Sequence, residues 1–322
     1  MRSSPLPTGL AAVIALAMAA GCTHGWDDYD PRPTEASASS SGAAGSSSVA
    51  SGGSSGTAGG LGGAGGAGTA AGGAGGLPVQ GCAPPGATGY RAEVLADCPI
   101  AYFRLGEASG IDTVDEVAGM KGSLVNGAAL GASGALDGDQ DTAILLDGDD
   151  DSIRLDDVFD FPGVSFAFEA WIQPTLLDDN YRRVFDKESG LGMGEIRQGY
   201  AFFVRSPAPN AMYKNAVGFE IWLDGEFVGA THTTTPPALG KWTHVVTSVD
   251  AVTGAIRLYL DGVPVDEALL LKPMIDNPSL FYWGATSNGY TTFAGTLDEL
   301  AVYDHPLSDE RVAAHYKVGV GM

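Results

Sequence analysis

Basic residues are scarce: 17 Lys and Arg stand against 39 Asp and Glu in 322 residues, a net charge of −22. Four of the acids (Asp27, Asp28, Asp30, Glu35) and two of the bases (Arg2, Arg32) precede residue 82. Residues 82–322 therefore carry 35 against 15, a net charge of −20. A face that neutralises phosphates needs clustered Lys and Arg, so nucleic acid is excluded as a partner. Long apolar runs are missing too. The stretch from Leu10 to Ala20 is shorter than the ~20 residues a hydrocarbon core demands, and reads as the core of a signal peptide. Cysteine is nearly absent: Cys22, Cys82 and Cys98 show no CxxC spacing, and no His lies close to Cys82 or Cys98 to make a zinc set. From Ala36 to Leu77 there is no charge, no aromatic and no proline. Such Gly/Ala/Ser chain has nothing to bury, so a disordered spacer is expected. Its 42 residues reach about 35 Å as a flexible coil. Gly does not recur at every third position beside Pro, which excludes a collagen helix.

Ala19-Ala20-Gly21-Cys22 resembles the bacterial lipoprotein box, with Ala19 where Leu is usual. The resemblance implies a signal peptide over 1–21, acylation of Cys22, a short polar segment over 22–35 and a linker over 36–81. The chain would then be held to a membrane through an N-terminal lipid anchor. Thr23 follows the cysteine where lipoproteins kept at the inner membrane commonly have Asp, so the outer membrane or cell surface is the expected address. The alternative is ordinary secretory cleavage that leaves Cys22 a thiol. If Cys22 is acylated, Cys82 and Cys98 remain in an oxidising compartment and are expected to pair, closing a loop worth ~3 kcal/mol.

The remaining 82–322 read as a single domain of short strands. Val164 to Ile172 alternates, with Phe166, Phe168, Ala170 and Ile172 on one face and Ser165, Ala167, Glu169 and Trp171 on the other. Segments 242–249 and 255–260 alternate likewise. Further strands are expected at 101–107, 142–147, 151–156, 182–187, 199–205, 216–223, 226–232, 280–285 and 293–303. Asp224-Gly225 and Asp261-Gly262 read as type I′ hairpin turns, and Pro264 just beyond argues for an edge or a bulge. Near the end the period changes. Ser308 is a good N-cap, Asp309 and Glu310 suit a helix start, Leu307 can staple onto Val312, and Gly319 would stop the helix. Many strands and one short helix predict an all-β sandwich of two packed antiparallel sheets.

Four stretches resemble the laminin-G-like jelly roll of the concanavalin A-like lectin and glucanase superfamily. They are Val94 to Gly110; Phe166-Ala-Phe-Glu-Ala-Trp-Ile172; Lys241-Trp-Thr-His-Val-Val246 joined to Ile256-Arg-Leu-Tyr-Leu-Asp-Gly262; and Phe293 to Asp304 with Leu307-Ser308. In order they cover about 90–319. The resemblance implies a concanavalin A-like jelly-roll sandwich with one curved sheet whose concave face often holds ligand. Cys98 stands where the family usually has a small or polar residue, which suits an added disulfide with Cys82. The superfamily includes hydrolases, lectins and protein-binding modules, so fold does not settle function.

Its laminarinases and lichenases carry Glu-x-Asp-x-Glu on a concave strand, where alternate residues ~6.6 Å apart approach the ~5 Å separation of a retaining pair. No such triple occurs here. Asp186-Lys187-Glu188 is the nearest substitute and reads as solvated charge entering a loop; no catalytic residue is expected. Asp137-x-Asp139-x-Asp141 and Asp147-x-Asp149-x-Asp151 carry turn glycines and lack the EF-hand positions. His244, His305 and His315 read as structural. Many relatives hold a structural Ca²⁺ with an aspartate near the C-terminal strand; Asp298 is the matching residue, against a surface aspartate that merely bonds a loop.

Ligand contacts are expected from Trp222, Tyr200, Tyr213 and Tyr282, with Arg205, Asn210 and Asn215 near the loop 206–215. The leading functional expectation is a surface-anchored, non-catalytic lectin-like module for polysaccharide or glycoprotein. A divergent glycan hydrolase and an adhesion domain for a protein partner are the alternatives. The sequence leaves the oligomeric state open.

Overall fold

The computed structural model describes residues 88–322. The readings placed on the signal peptide, Cys22, the linker and Cys82 lie outside the described residues.

Two eight-stranded antiparallel sheets pack face to face. One runs β14 (Val263–Leu269), β13 (Ala255–Leu260), β12 (Thr243–Asp250), β7 (Phe166–Pro174), β16 (Ala294–Tyr303), β5 (Thr142–Asp147) and β4 (Ala129–Ser133). Its eighth strand, β1 (Ala101–Phe103), pairs with the second half of β16 after β5 has paired with the first. The other runs β11 (Glu226–Thr233), β10 (Val217–Leu223), β9 (Gln198–Val204), β8 (Arg182–Ser189), β15 (Tyr282–Trp283), β6 (Ser152–Arg154), β3 (Lys121–Val125) and β2 (Asp112–Val114). The sandwich expected from the alternation is the one observed.

The alternation of β7 sorts its side chains between two apolar clusters. Phe166, Phe168, Ala170 and Ile172 enter the core between the sheets, where Phe168 stacks on Phe185 at 4.5 Å and on Phe281 at 5.7 Å. Ala167 and Trp171 face the other way into a second cluster, formed under two helices that cover this sheet. We call it the capped sheet and its partner the open sheet. Each fully buried aromatic contributes roughly 1.5–3 kcal/mol, so the dense core alone makes the sandwich favourable.

Both expected hairpin turns form, with left-handed φ at Asp224 and Gly225 (53° and 78°) and at Asp261 and Gly262 (49° and 76°). Pro264 lies on β14, an edge strand, where the register skips Val265 between the Tyr259–Pro264 and Leu258–Asp266 pairs. Proline has no N–H to donate, and the edge and the bulge both spare it one.

Helix α2 (Asp309–Gly319) begins as expected: the Ser308 hydroxyl accepts from the Arg311 N–H, and Leu307 and Val312 are buried together. Gly319 is the last helical residue rather than the stop. A Cβ there would meet the Trp171 ring at 2.4 Å, so close approach requires the glycine; the left-handed φ of 71° belongs to Gly321. Helix α1 (Gly89–Ala96) was not expected. Eight residues make a marginal helix in water. This one is held by burying Tyr90, Val94 and Leu95 against the capped sheet.

Candidate functional site

The two sheets treat their outer faces differently. On the capped sheet, Glu169 of β7 is buried and accepts from Tyr90 Oη and Tyr303 Oη, both at 2.6 Å. His244 Nε2 lies 2.7 Å from it and His315 Nδ1 3.0 Å. His315 Nε2 lies 2.9 Å from Asp97, which also receives Arg311 Nε at 2.8 Å. Burial alone would lower the His315 pKa, but the Glu169 charge and the Asp97 hydrogen bond outweigh it and lift it to about 9. The same histidines hold the Glu169 carboxyl well below its usual range against burial. This face is a closed structural joint, as the structural reading of His244 and His315 anticipates.

Among the described residues no helix lies over the outer face of the open sheet, although Arg183, Asp186 and Glu188 there are buried. A bulge in β8 places both Val184 and Phe185 in the core, so Arg183 and Asp186 emerge on the outside, followed by Glu188. A second bulge, between Ile221 and Trp222, sets Trp222 of β10 opposite Phe227 of β11. The segment between β8 and β9 supplies Arg197, and that between β9 and β10 supplies Tyr213 and Asn215. With Tyr181, Arg183, Glu220, Trp222 and Phe227 these residues line a cavity of about 350 Å³.

Electrostatics and stacking fix the walls. Glu188, fully buried, accepts from Arg197 Nη2 at 2.7 Å and Arg183 Nη2 at 3.3 Å. Arg183 Nε lies 3.6 Å from Asp186, and Arg197 Nη2 lies 3.7 Å from Glu220. Burial and the neighbouring Glu188 push the Asp186 carboxyl well above the usual carboxylate range; burial also raises Glu220. The Arg197 guanidinium sits 4.1 Å from the Trp222 ring centre and the Phe227 ring 3.7 Å from it. Both groups crowd the Trp222 ring, which is only partly exposed. Phe227 and Tyr213 remain the open aromatic surfaces, 50% and 63% exposed.

Of the expected ligand residues, Trp222, Tyr213 and Asn215 therefore meet in one cavity. Arg205 stands behind it, buried. It donates to the carbonyls of Asn215 (2.8 Å), Tyr213 (2.7 Å) and Asp179 (3.2 Å) and so pins the loop 206–215. Asn210 is exposed at that loop's tip, and Tyr282 lies on β15; neither lines the cavity. Tyr200 is a correction. It is 1% exposed among the core aromatics and donates its hydroxyl to the Phe159 carbonyl at 2.8 Å, because β9 turns Tyr200, Phe202 and Val204 inward. The reading of Asp186-Lys187-Glu188 as solvated charge is likewise overturned. All three are buried in central strand β8, with Lys187 turned the opposite way to reach Asp157 at 2.6 Å and Asp160 at 3.2 Å. Sequence reasoning missed Tyr181, Arg183, Arg197, Glu220 and Phe227.

For a cation, Asp298 lies where a bulge in β16, with Glu299 at φ 52°, breaks the register against β7. Asp298 is buried rather than a surface residue, and its Oδ2 accepts from Ala135 N at 2.7 Å. A Cβ at Gly134 would come within 2.5 Å of the Asp141 carbonyl oxygen and 3.2 Å of Asp298 Oδ2. A carbonyl and a carboxylate oxygen thus face one small space, two of the six to eight oxygens that calcium takes. Burial and the adjacent Glu299 raise the Asp298 pKa to about 8. Separately, Asp147, Asp150 and Asp151 bring carboxylate oxygens within 4.8 Å of one another, with Asp151 accepting from the backbone of Gly127 and Asp147.

The sequence profile of a laminin-G family, described as the concanavalin A-like lectin/glucanases superfamily, matches residues 147–313, just over half of the chain. The chain belongs to this superfamily. No curated relative matches it in sequence. Among solved superfamily-like folds, domain 4 of AbnA, an extracellular arabinanase from Geobacillus stearothermophilus in complex with arabinotriose, is 18% identical. It aligns with a TM-score of 0.50 over 68% of this chain and 98% of that domain. The binding domain of Paraclostridial Mosquitocidal Protein 1 is 16% identical with a TM-score of 0.51, over 68% of this chain and 52% of that one. The ligand-binding domain of botulinum neurotoxin serotype D, in complex with N-acetylneuraminic acid, is 12% identical with a TM-score of 0.51, over 69% and 51%. What this chain shares with these structures is the jelly-roll fold.

Proposed function

We propose that this domain is a non-catalytic, lectin-like module that seats a polysaccharide or glycoprotein glycan in the cavity of the open sheet. The observation that carries the reading is the cavity itself: exposed rings of Phe227 and Tyr213 beside the Asn215 amide, the Glu220 carboxyl and two arginines. Sugars need such ring faces for stacking and fixed polar groups for their hydroxyls. The arabinotriose and N-acetylneuraminic acid held by two fold neighbours support it. Titrating the full-length chain against a panel of oligosaccharides tests it; binding that Phe227→Ala leaves untouched would place the ligand elsewhere.

The hydrolase reading has one observation in its favour, the raised carboxyl of Glu220 in the cavity wall. Glycoside hydrolysis requires two carboxyl groups flanking the bond. Asp186 and Glu188 are both fully buried, Glu188 is bonded to Arg183 and Arg197, and neither lines the cavity. Binding without cleavage is therefore the better reading, and turnover abolished by Asp186→Asn would reverse it.

We also propose the envelope setting that the N-terminal residues imply: acylation at Cys22, display at the outer membrane or cell surface, and a Cys82–Cys98 bridge. Palmitate labelling lost in Cys22→Ala tests the first. Structural calcium at Asp298 completes the proposal. Chelator is expected to lower the melting temperature and added Ca²⁺ to restore it; an unchanged melt would discard the ion.

A further inference from the structure

Two guanidinium groups in a cavity ordinarily suggest a receptor for an anion, since arginine pairs bidentately with carboxylates and phosphates. Here both are already answered from beneath. Glu188 accepts from Arg197 at 2.7 Å and from Arg183 at 3.3 Å, while Asp186 and Glu220 stand 3.6 Å and 3.7 Å from the same two residues. Three carboxyl groups thus surround two guanidinium groups, and Glu188 is fully buried, beyond the reach of a ligand. What the cavity offers an entering molecule is ring surface, at Phe227 and Tyr213, with an amide at Asn215. The chain around it carries a net charge of −22, which repels a polyanion at a distance.

We infer that the cavity takes an uncharged sugar and rejects uronic and sialic acids, and that Glu188 sets this choice by neutralising Arg183 and Arg197 from below. The inference rests on the glycan-binding reading. Glu188 is a positioning residue: it never touches the sugar, but fixes two donors to serve hydroxyl groups rather than a carboxylate. A neutral ligand held by stacking and hydroxyl bonds has little charge for salt to screen.

Affinity electrophoresis of the full-length chain tests this, with arabinan, xylan and mixed-linkage β-glucan as neutral probes and polygalacturonate and alginate as charged ones. At least one neutral polymer is expected to retard the protein, with little dependence on salt, and the polyuronates to bind about tenfold more weakly or worse. Glu188→Gln leaves Arg183 and Arg197 only the more distant Asp186 and Glu220, at 3.6 Å and 3.7 Å, and is expected to raise polygalacturonate affinity about tenfold. Should that variant fail to fold, Glu220→Gln removes a carboxyl of the same set from the cavity wall and is expected to raise it about threefold. A polyuronate preference in the unaltered chain, or no gain in a folded variant, overturns the inference while leaving a glycan site in place. Binding to neither class overturns the glycan-binding reading and the inference with it.

Discussion

The two sheets present opposite outer faces built from the same kind of strand. On the capped sheet, the Glu169 carboxylate has four partners, and two helices close over it. On the open sheet, the comparable carboxylates lie beneath a cavity with their shell incomplete. Arg183 Nε and Nη1, Asp186 Oδ2, Glu188 Oε1 and Arg197 Nε are all buried without a hydrogen-bond partner among the described residues, whereas the capped joint leaves Trp171 Nε1 and His244 Nδ1 in that state. Buried polar atoms are costly unless paired, so such gaps gather where a site must stay ready rather than merely closed. One face is closed by its own partners; the other keeps unpaired polar atoms beneath its cavity.

The largest effect expected to sharpen this contrast is Glu169→Ala. Four polar partners lose their acceptor in a buried place, at a cost of about 3–5 kcal/mol. A lowered denaturant midpoint, with glycan binding retained by the remaining folded protein, is the expected outcome; an unchanged midpoint would erase the distinction between the faces.

Alkaline pH should act on the same joint. The folded pKa of His315, about 9, exceeds its ordinary 6.5, so its contribution is complete below pH 6.5 and disappears as pH rises through 9. The shift corresponds to about 3 kcal/mol. Glu169, held low, contributes above its ordinary 4.5 and loses that as pH falls. Denaturation curves across pH should show stability declining on the alkaline side, and His315→Gln should flatten that decline.

Phe227→Ala, on the open face, is expected to weaken glycan binding about tenfold with a stability change below ~1 kcal/mol, since the ring is half exposed. Titration and thermal melting of one preparation read both. The smallest effect is Ser308→Ala, which removes the α2 cap and costs about 1 kcal/mol without touching binding.

Local features were the legible ones. The alternation of Phe166 to Ile172, the two Asp-Gly turns, the bulge at Pro264 and the Ser308 cap each depend on a few adjacent residues, and each is found where the sequence places it. The site depends on register. Arg183 and Phe227 reach the cavity through bulges in β8 and β11, and a bulge leaves no mark in an alternation pattern. Arg197 and Glu220 meet Trp222 only once strands β8 to β11 align. Tyr200 is different: it shares parity with Phe202 and Val204, so its inward direction was readable. Helix α1 escaped notice because its stability comes from the sheet it covers rather than from its own residues.

The joint around α1 also ties together stretches of chain that lie far apart in sequence. Tyr90 reaches Glu169 in the middle of the capped sheet, while Glu93 and Asp97 grip Arg311 at 2.9 Å and 2.8 Å. The short helix is thereby laced both to a central strand and to the C-terminal helix. Neither helix can lift from the sheet without loosening the other.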